Sequence, residues 1–230
     1  MDRKEFLRKS LGLIAIAPLV DGAKEPWEAV PGSSVTDCNL TSSETAGPFP
    51  TKTPGTLVIK DIRGDRAGIG MQVQITIKNK NNGCAPLAGA FVDIWHCDAD
   101  GNYSEYGGTG MQAANHSNAH FLRGRQVTDA NGQVTLMSIF PGWYPGRAVH
   151  IHVHVFDAKG KSLLVTQIAF PAAVCDALFT SSTQHYNKGK ADTSNERDNV
   201  FRDGFTNELA VVTGNPGSGY SLSHTIVVNG

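Results

Sequence analysis

The chain predicts an all-β fold: one domain built as a two-sheet β-sandwich with long irregular loops. Three observations carry that prediction. Alternating apolar and polar runs recur along the chain, roughly eight of them, each short and bounded by turn residues. Glycine and proline are frequent, 25 and 11 in 230 residues, which suits many tight turns. Hydrophobic residues make up 40% of the chain, enough for one real core and too little for two large domains. The net charge of −1 offers no basic field to a nucleic acid.

The first 23 residues differ in character from the rest. Arg3, Lys4, Arg8 and Lys9 precede an apolar run over 11–20, LGLIAIAPLV. A positive segment before a short apolar one reads as an export signal, so a periplasmic or extracellular protein is expected. The run is short for a membrane span, and no stable span is expected after processing. Arg3-Lys4-Glu5-Phe6-Leu7 resembles a twin-arginine signal with lysine in place of the second arginine. Residues 24–37 read as a linker and 38–230 as the folded domain. Four cysteines in an exported chain predict two disulfides. Cys84 and Cys97 bracket a single strand, so a direct bridge between them would be strained; of the two remaining pairings, Cys38–Cys97 with Cys84–Cys175 is the expected one.

Within the domain, 38–50 reads as an irregular arm and 57–62 as a strand. Residues 71–78, MQVQITIK, alternate strictly and form a strand, closed by a turn at 79–83. A strand over 88–95 follows. The loop at 97–108 contains Asp98, Asp100 and Asn102, but its glycine is fourth rather than sixth and no closing glutamate follows, which excludes a calcium loop. Residues 96–120 form a long polar connection, a length associated with function. Residues 126–140 read as a hairpin about Asn131-Gly132, a strong two-residue turn signal. Strands are expected again at 149–156 and 163–170, a short helical turn near 172–179, and closing strands at 208–213 and 223–228.

The strand at 149–156, VHIHVHVF, is unusual. Side chains alternate across a strand, so Val149, Ile151, Val153 and Val155 share one face and His150, His152 and His154 the other. The first face suits a core. The second does not, but residues two apart sit roughly 6.5–7 Å apart at Cα, close enough for two imidazoles to meet one metal ion. His154 lies further along and reads as a flanking or solvent-facing residue. Just upstream, Tyr144 and Arg147 complete the pattern Tyr-x-x-Arg-x-x-His-x-His. A phenolate ligand needs a strongly Lewis-acidic ion to lower its pKa from near 10, which favours ferric iron over zinc.

The run Tyr144-Pro145-Gly146-Arg147-Ala148-Val149-His150-Ile151-His152 resembles the signature of the intradiol ring-cleavage dioxygenases. Other pieces match in order: Gly47-Pro48-Phe49; Val92-Asp93-Ile94-Trp95-His96 with Gly101-Asn102-Tyr103-Ser104; Val127-Thr128-Asp129; Ile139-Phe140-Pro141-Gly142; Thr166-Gln167-Ile168; and Asp192-Thr193-Ser194-Asn195 onward. The resemblance covers residues 38–205. It implies a ferric centre held by Tyr103, Tyr144, His150 and His152. Arg147 would stabilise a carbanion-like substrate, Gln167 would orient neighbouring groups, and Tyr144 would yield its place to the substrate and act as a base. The implied reaction cleaves a catechol-type ring between its two hydroxyl-bearing carbons with O2, giving a cis,cis-muconate-type product. The helical dimerisation domain of some members is not expected in these 230 residues, and oligomerisation stays open.

Two other readings compete. An exported β-sandwich could be a binding module with an incidental or zinc-holding His-x-His pair; such a module needs neither Tyr103 nor Tyr144. A metal-dependent hydrolase would need a carboxylate base beside the metal, for which Asp93 is the candidate.

Overall fold

A computed structural model describes residues 38–108 and 110–230. The expected signal (1–23) and linker (24–37) lie outside the described residues. The nine strands are β1 (Gly70–Asn79), β2 (Ala85–Pro86), β3 (Phe91–Trp95), β4 (Arg123–Val127), β5 (Gln133–Ile139), β6 (His150–Phe156), β7 (Ser162–Ala169), β8 (Val211–Asn215) and β9 (Gly219–Val228). One α-helix among the described residues, α1 (Ala172–Ser181), follows β7.

The strands form two sheets, as the alternation predicts. The first has the order β2-β1-β9-β8, with β5 also on β1. β1 runs parallel to β9, from Met71 opposite Tyr220 to Asn79 opposite Val228, and antiparallel to β5 and β2. The second sheet is the antiparallel array β4-β3-β6-β7. The inner faces meet in one core. Val73, Ile75 and Ile77 of β1 and Leu222 and Ile226 of β9 share it with Val92 and Ile94 of β3 and with Ile151, Val153 and Val155 of β6. These apolar side chains supply the main favourable term of folding. α1 adds Cys175, Leu178 and Phe179 to the same core.

Several expectations are corrected. The segment 57–62 forms no ladder. The Leu57 carbonyl accepts from Arg125 N on β4 (2.8 Å), while Ile62 N donates to Met137 O on β5 (2.9 Å). The segment stitches the edges of two different sheets, so it can extend neither. The 126–140 hairpin is likewise absent. The turn exists, with Gly132 N donating to Asp129 O (2.9 Å), but β4 pairs with β3 and β5 with β1. The chain crosses between sheets at Asn131-Gly132 rather than folding back within one. The third strand starts at Phe91 rather than 88, after Gly89 at φ +75°. The helix is ten residues long, and β9 begins at Gly219 as an interior strand of its sheet.

The disulfide expectation also fails. Cys38 bonds to Cys84, with Cα atoms 5.9 Å apart, and Cys97 and Cys175 are free and buried. Cys97 packs among Phe49, Trp95 and Tyr103, and Cys175 is on the buried side of α1. From Cys38 the arm runs past β9, where Thr41 N donates to Val227 O (3.1 Å), to β7, where Glu44 N donates to Val165 O (2.8 Å). It then crosses the outer face of the second sheet to Arg123 on β4, which donates to the Phe49 carbonyl (2.9 Å).

Candidate metal centre

The arm covers the outer face of β6. His150 and His152 are 3% and 1% exposed there, while the valines and isoleucine between them sit in the core. The strand reads in the structure as it does in the sequence: one face for packing, one for chemistry. β6 pairs His152 with Trp95 of β3 on one side and with Gln167 of β7 on the other.

His150 Nδ1 lies 2.6 Å from the Ala148 carbonyl, which places its proton there and leaves the Nε2 lone pair facing the site. His152 Nε2 is 3.2 Å from His150 Nε2, and the Tyr103 hydroxyl is 3.3 Å from the same atom. Donor atoms about 2.0–2.1 Å from one ion lie roughly 3–3.4 Å from each other, so this spacing fits a shared coordination sphere. The Tyr144 ring stands edge-on to both Tyr103 and His150, with centroids 5.8 Å away in each case. Among the described residues no cluster of three or more histidine, cysteine, aspartate or glutamate side chains could hold a metal. The convergent donors here are two imidazoles and phenols, a set suited to a hard, highly charged cation.

Burial sets the protonation states. It lowers His150 to about 3, helped by the Arg147 charge, and holds His152 well below the ordinary histidine value. Both imidazoles are therefore neutral and able to donate electron pairs. Burial raises Tyr103 well above 10 and also raises Tyr144, against which Arg147 pulls down. Both phenols stay protonated unless a strong positive charge enters.

Arg147 is fixed by three partners. Its Nε lies 2.9 and 3.0 Å from the two oxygens of Asp198, one terminal nitrogen donates to Gln167 Oε1 (2.6 Å), and the other lies 3.3 Å from the Tyr144 hydroxyl. Gln167 Nε2 in turn donates to the Thr45 carbonyl of the arm (2.8 Å). Thus Tyr103, Tyr144, Arg147, His150, His152 and Gln167 are brought together. His154 is not: it stacks on Phe156 and contacts Ser162 Oγ at 2.8 Å. Asp93 forms a two-point ion pair with Arg125 (2.5 and 2.7 Å), which leaves it no role as a base and removes the hydrolase reading.

Three supporting residues escaped the sequence reading. Asp198, fully buried, also accepts from Ala148 N (2.7 Å) and Val200 N (2.9 Å). Arg123, fully buried, donates to Ser104 O (2.6 Å) and ties the arm to the Tyr103 loop. Gln112 accepts from Tyr103 N (2.6 Å) and donates to the carbonyls of Tyr103, Tyr106 and Ala114 at 2.9–3.1 Å. A charged residue far along the chain gives no local signal of such duties. The late-loop resemblance from Asp192 to Phe201 spans Asp198 but gives it no role.

A family model described as Dioxygenase matches residues 51–230, which sets the class of protein. Chlorocatechol 1,2-dioxygenase of Rhodococcus opacus is 29% identical over 158 residues, covering 57% of each chain. The protocatechuate 3,4-dioxygenase beta chain of Burkholderia cepacia is 31% identical over 114 residues, 45% of this chain and 46% of that one. The match thus spans about half the length of these curated relatives. An intradiol ring-cleavage dioxygenase from Tetranychus urticae superposes with a TM-score of 0.73 at 28% identity, covering 84% of this chain and 95% of that one. The chain belongs to the intradiol ring-cleavage dioxygenase family.

Proposed function

We propose that the protein is a ferric-iron intradiol dioxygenase that opens a catechol-type ring between its two hydroxyl-bearing carbons with O2, giving a cis,cis-muconate-type product. The observation that carries this is the convergence of the Tyr103 hydroxyl and the Nε2 atoms of His150 and His152 within 3.2–3.3 Å steps. Tyr103, Tyr144, His150 and His152 would hold the iron. Ferric iron would supply the Lewis acidity that ionises phenols and withdraws charge from the aromatic ring.

The chain's own groups do the rest. Tyr144 is the phenol beside Arg147, so its oxygen is the one suited to take a proton from a substrate hydroxyl. The Arg147 guanidinium, held by Asp198 and Gln167, is a fixed positive charge where negative charge would develop on the ring. The arm excludes water from the imidazoles, and Gln167 links arm to guanidinium. Export to an oxidising compartment forms part of the proposal, and the Cys38–Cys84 bond suits one.

Oxygen uptake by iron-loaded protein with catechol, protocatechuate and hydroxyquinol tests the reaction, alongside a red-brown phenolate-to-iron absorption band. Tyr144→Phe should slow turnover while largely keeping iron, and His150→Ala should lose it. A colourless protein that consumes no oxygen with any of the three refutes the reading.

A further inference from the structure

The two imidazoles of the site are held by different means. His150 is oriented by its hydrogen bond to the Ala148 carbonyl. His152 Nδ1, although buried, has no hydrogen-bond partner among the described residues, and neither has the Nε1 of Trp95 beside it. A metal-binding histidine almost always gives its second ring nitrogen to an acceptor, which fixes the ring. His152 must be fixed in another way.

Two contacts show how. The Trp95 indole, 2% exposed, stacks flat on the imidazole, with centroids 4.9 Å apart and planes 1° from parallel. The β3–β6 register sets Trp95 directly opposite His152, so backbone pairing fixes this contact. Gly47 of the arm also closes on the ring. A Cβ at that position would stand 3.0 Å from His152 Cε1 and 3.4 Å from Nε2. Gly47 has φ +67°, a conformation that favours glycine, and the missing side chain lets the arm approach so closely.

We infer that Trp95 and Gly47 are positioning residues for His152, confining its ring by contact so that Nε2 stays aimed at the metal. This rests on the iron reading above. The indole blocks tilting out of plane, and the arm backbone limits the space left for the ring to move. The Gly-Pro-aromatic arm and the strand tryptophan thereby gain a shared purpose: they stand in for the missing acceptor.

Chelator competition for Fe(III), with the phenolate absorption band recorded in parallel, tests this on the full chain. Trp95→Leu and Gly47→Ala should each weaken iron retention by about tenfold or more, the scale on which supporting residues of metal ligands act. Trp95→Phe, which keeps a flat face, should restore most of the loss. Gly160→Ala serves as the control: Gly160 has φ +83° and nothing within 4 Å of an added Cβ, so it carries the backbone strain without the imidazole contact. It should keep parental iron affinity. Thermal midpoints of the iron-free proteins report folding separately. Parental affinity in both Trp95→Leu and Gly47→Ala overturns the inference while leaving the iron reading intact. If Trp95→Leu does not fold, Gly47→Ala against Gly160→Ala decides alone. A parent protein that takes up no iron overturns the iron reading and this inference together.

Discussion

Replacing Asp198 with asparagine should weaken both the fold and the reaction while sparing the metal. The carboxylate is fully buried and receives the Arg147 Nε on both oxygens as well as the Ala148 and Val200 amides. Arg147 itself is only 13% exposed, so its charge is poorly hydrated without this partner. Breaking a buried pair by removing one charge costs about 3–5 kcal/mol. Asparagine keeps one acceptor oxygen, and Arg147 keeps Gln167, so a loss of about 2–3 kcal/mol is expected. Urea unfolding gives that number. In oxygen-uptake assays kcat should fall more than KM rises, because the guanidinium is displaced where charge develops. Iron content should match the parent, since Asp198 touches none of the four proposed ligands through its side chain. A variant with parental stability and parental kcat would refute the reasoning, and so would one that folds but loses its iron.

Four groups outside the metal site contribute to the pH dependence of the iron-free protein, beside His150 and His152. Burial lowers His96 and His224 to about 4, so between 6.5 and 4 the unfolded chain binds more protons and stability falls as pH drops. Burial raises Glu44 to about 7 and Glu208 to about 8, so above 4.5 the folded chain holds more protons and stability falls as pH rises towards 8. Urea midpoints should therefore peak at mildly acidic pH, and Glu208→Gln should stabilise the protein at pH 8 relative to its effect at pH 5. Reducing the Cys38–Cys84 bond, which spans 46 residues, should cost about 4 kcal/mol by chain entropy, read as a fall in thermal midpoint with reductant. Gln112→Ala should loosen the Tyr103 loop by removing four hydrogen bonds, seen as faster amide exchange at Tyr103.

The parts of this protein visible in its sequence are those written in short periods. β1 and β6 show their faces by strict alternation, and the histidine face of β6 lies where the pattern puts it. The Tyr-x-x-Arg-x-x-His-x-His spacing is equally local. What the sequence hides is pairing at a distance. Asn131-Gly132 announces a turn, yet nothing nearby says that the next strand joins β1 rather than β4. Residues 57–62 have strand-like composition but meet two sheet edges at once. Asp198 and Arg123 act on partners about 50 and 74 residues away, where no spacing rule reaches.

β6 serves the core and the proposed metal site with the same seven residues, and this limits how the gene can change. Deleting or inserting one codon within it would exchange the two faces for every residue on the shifted side, turning imidazoles inward and aliphatic groups towards the proposed iron site. Point substitutions there damage one role at a time; a frame-preserving indel would damage both. Length variation between relatives should therefore collect in the connections on either side and spare this strand.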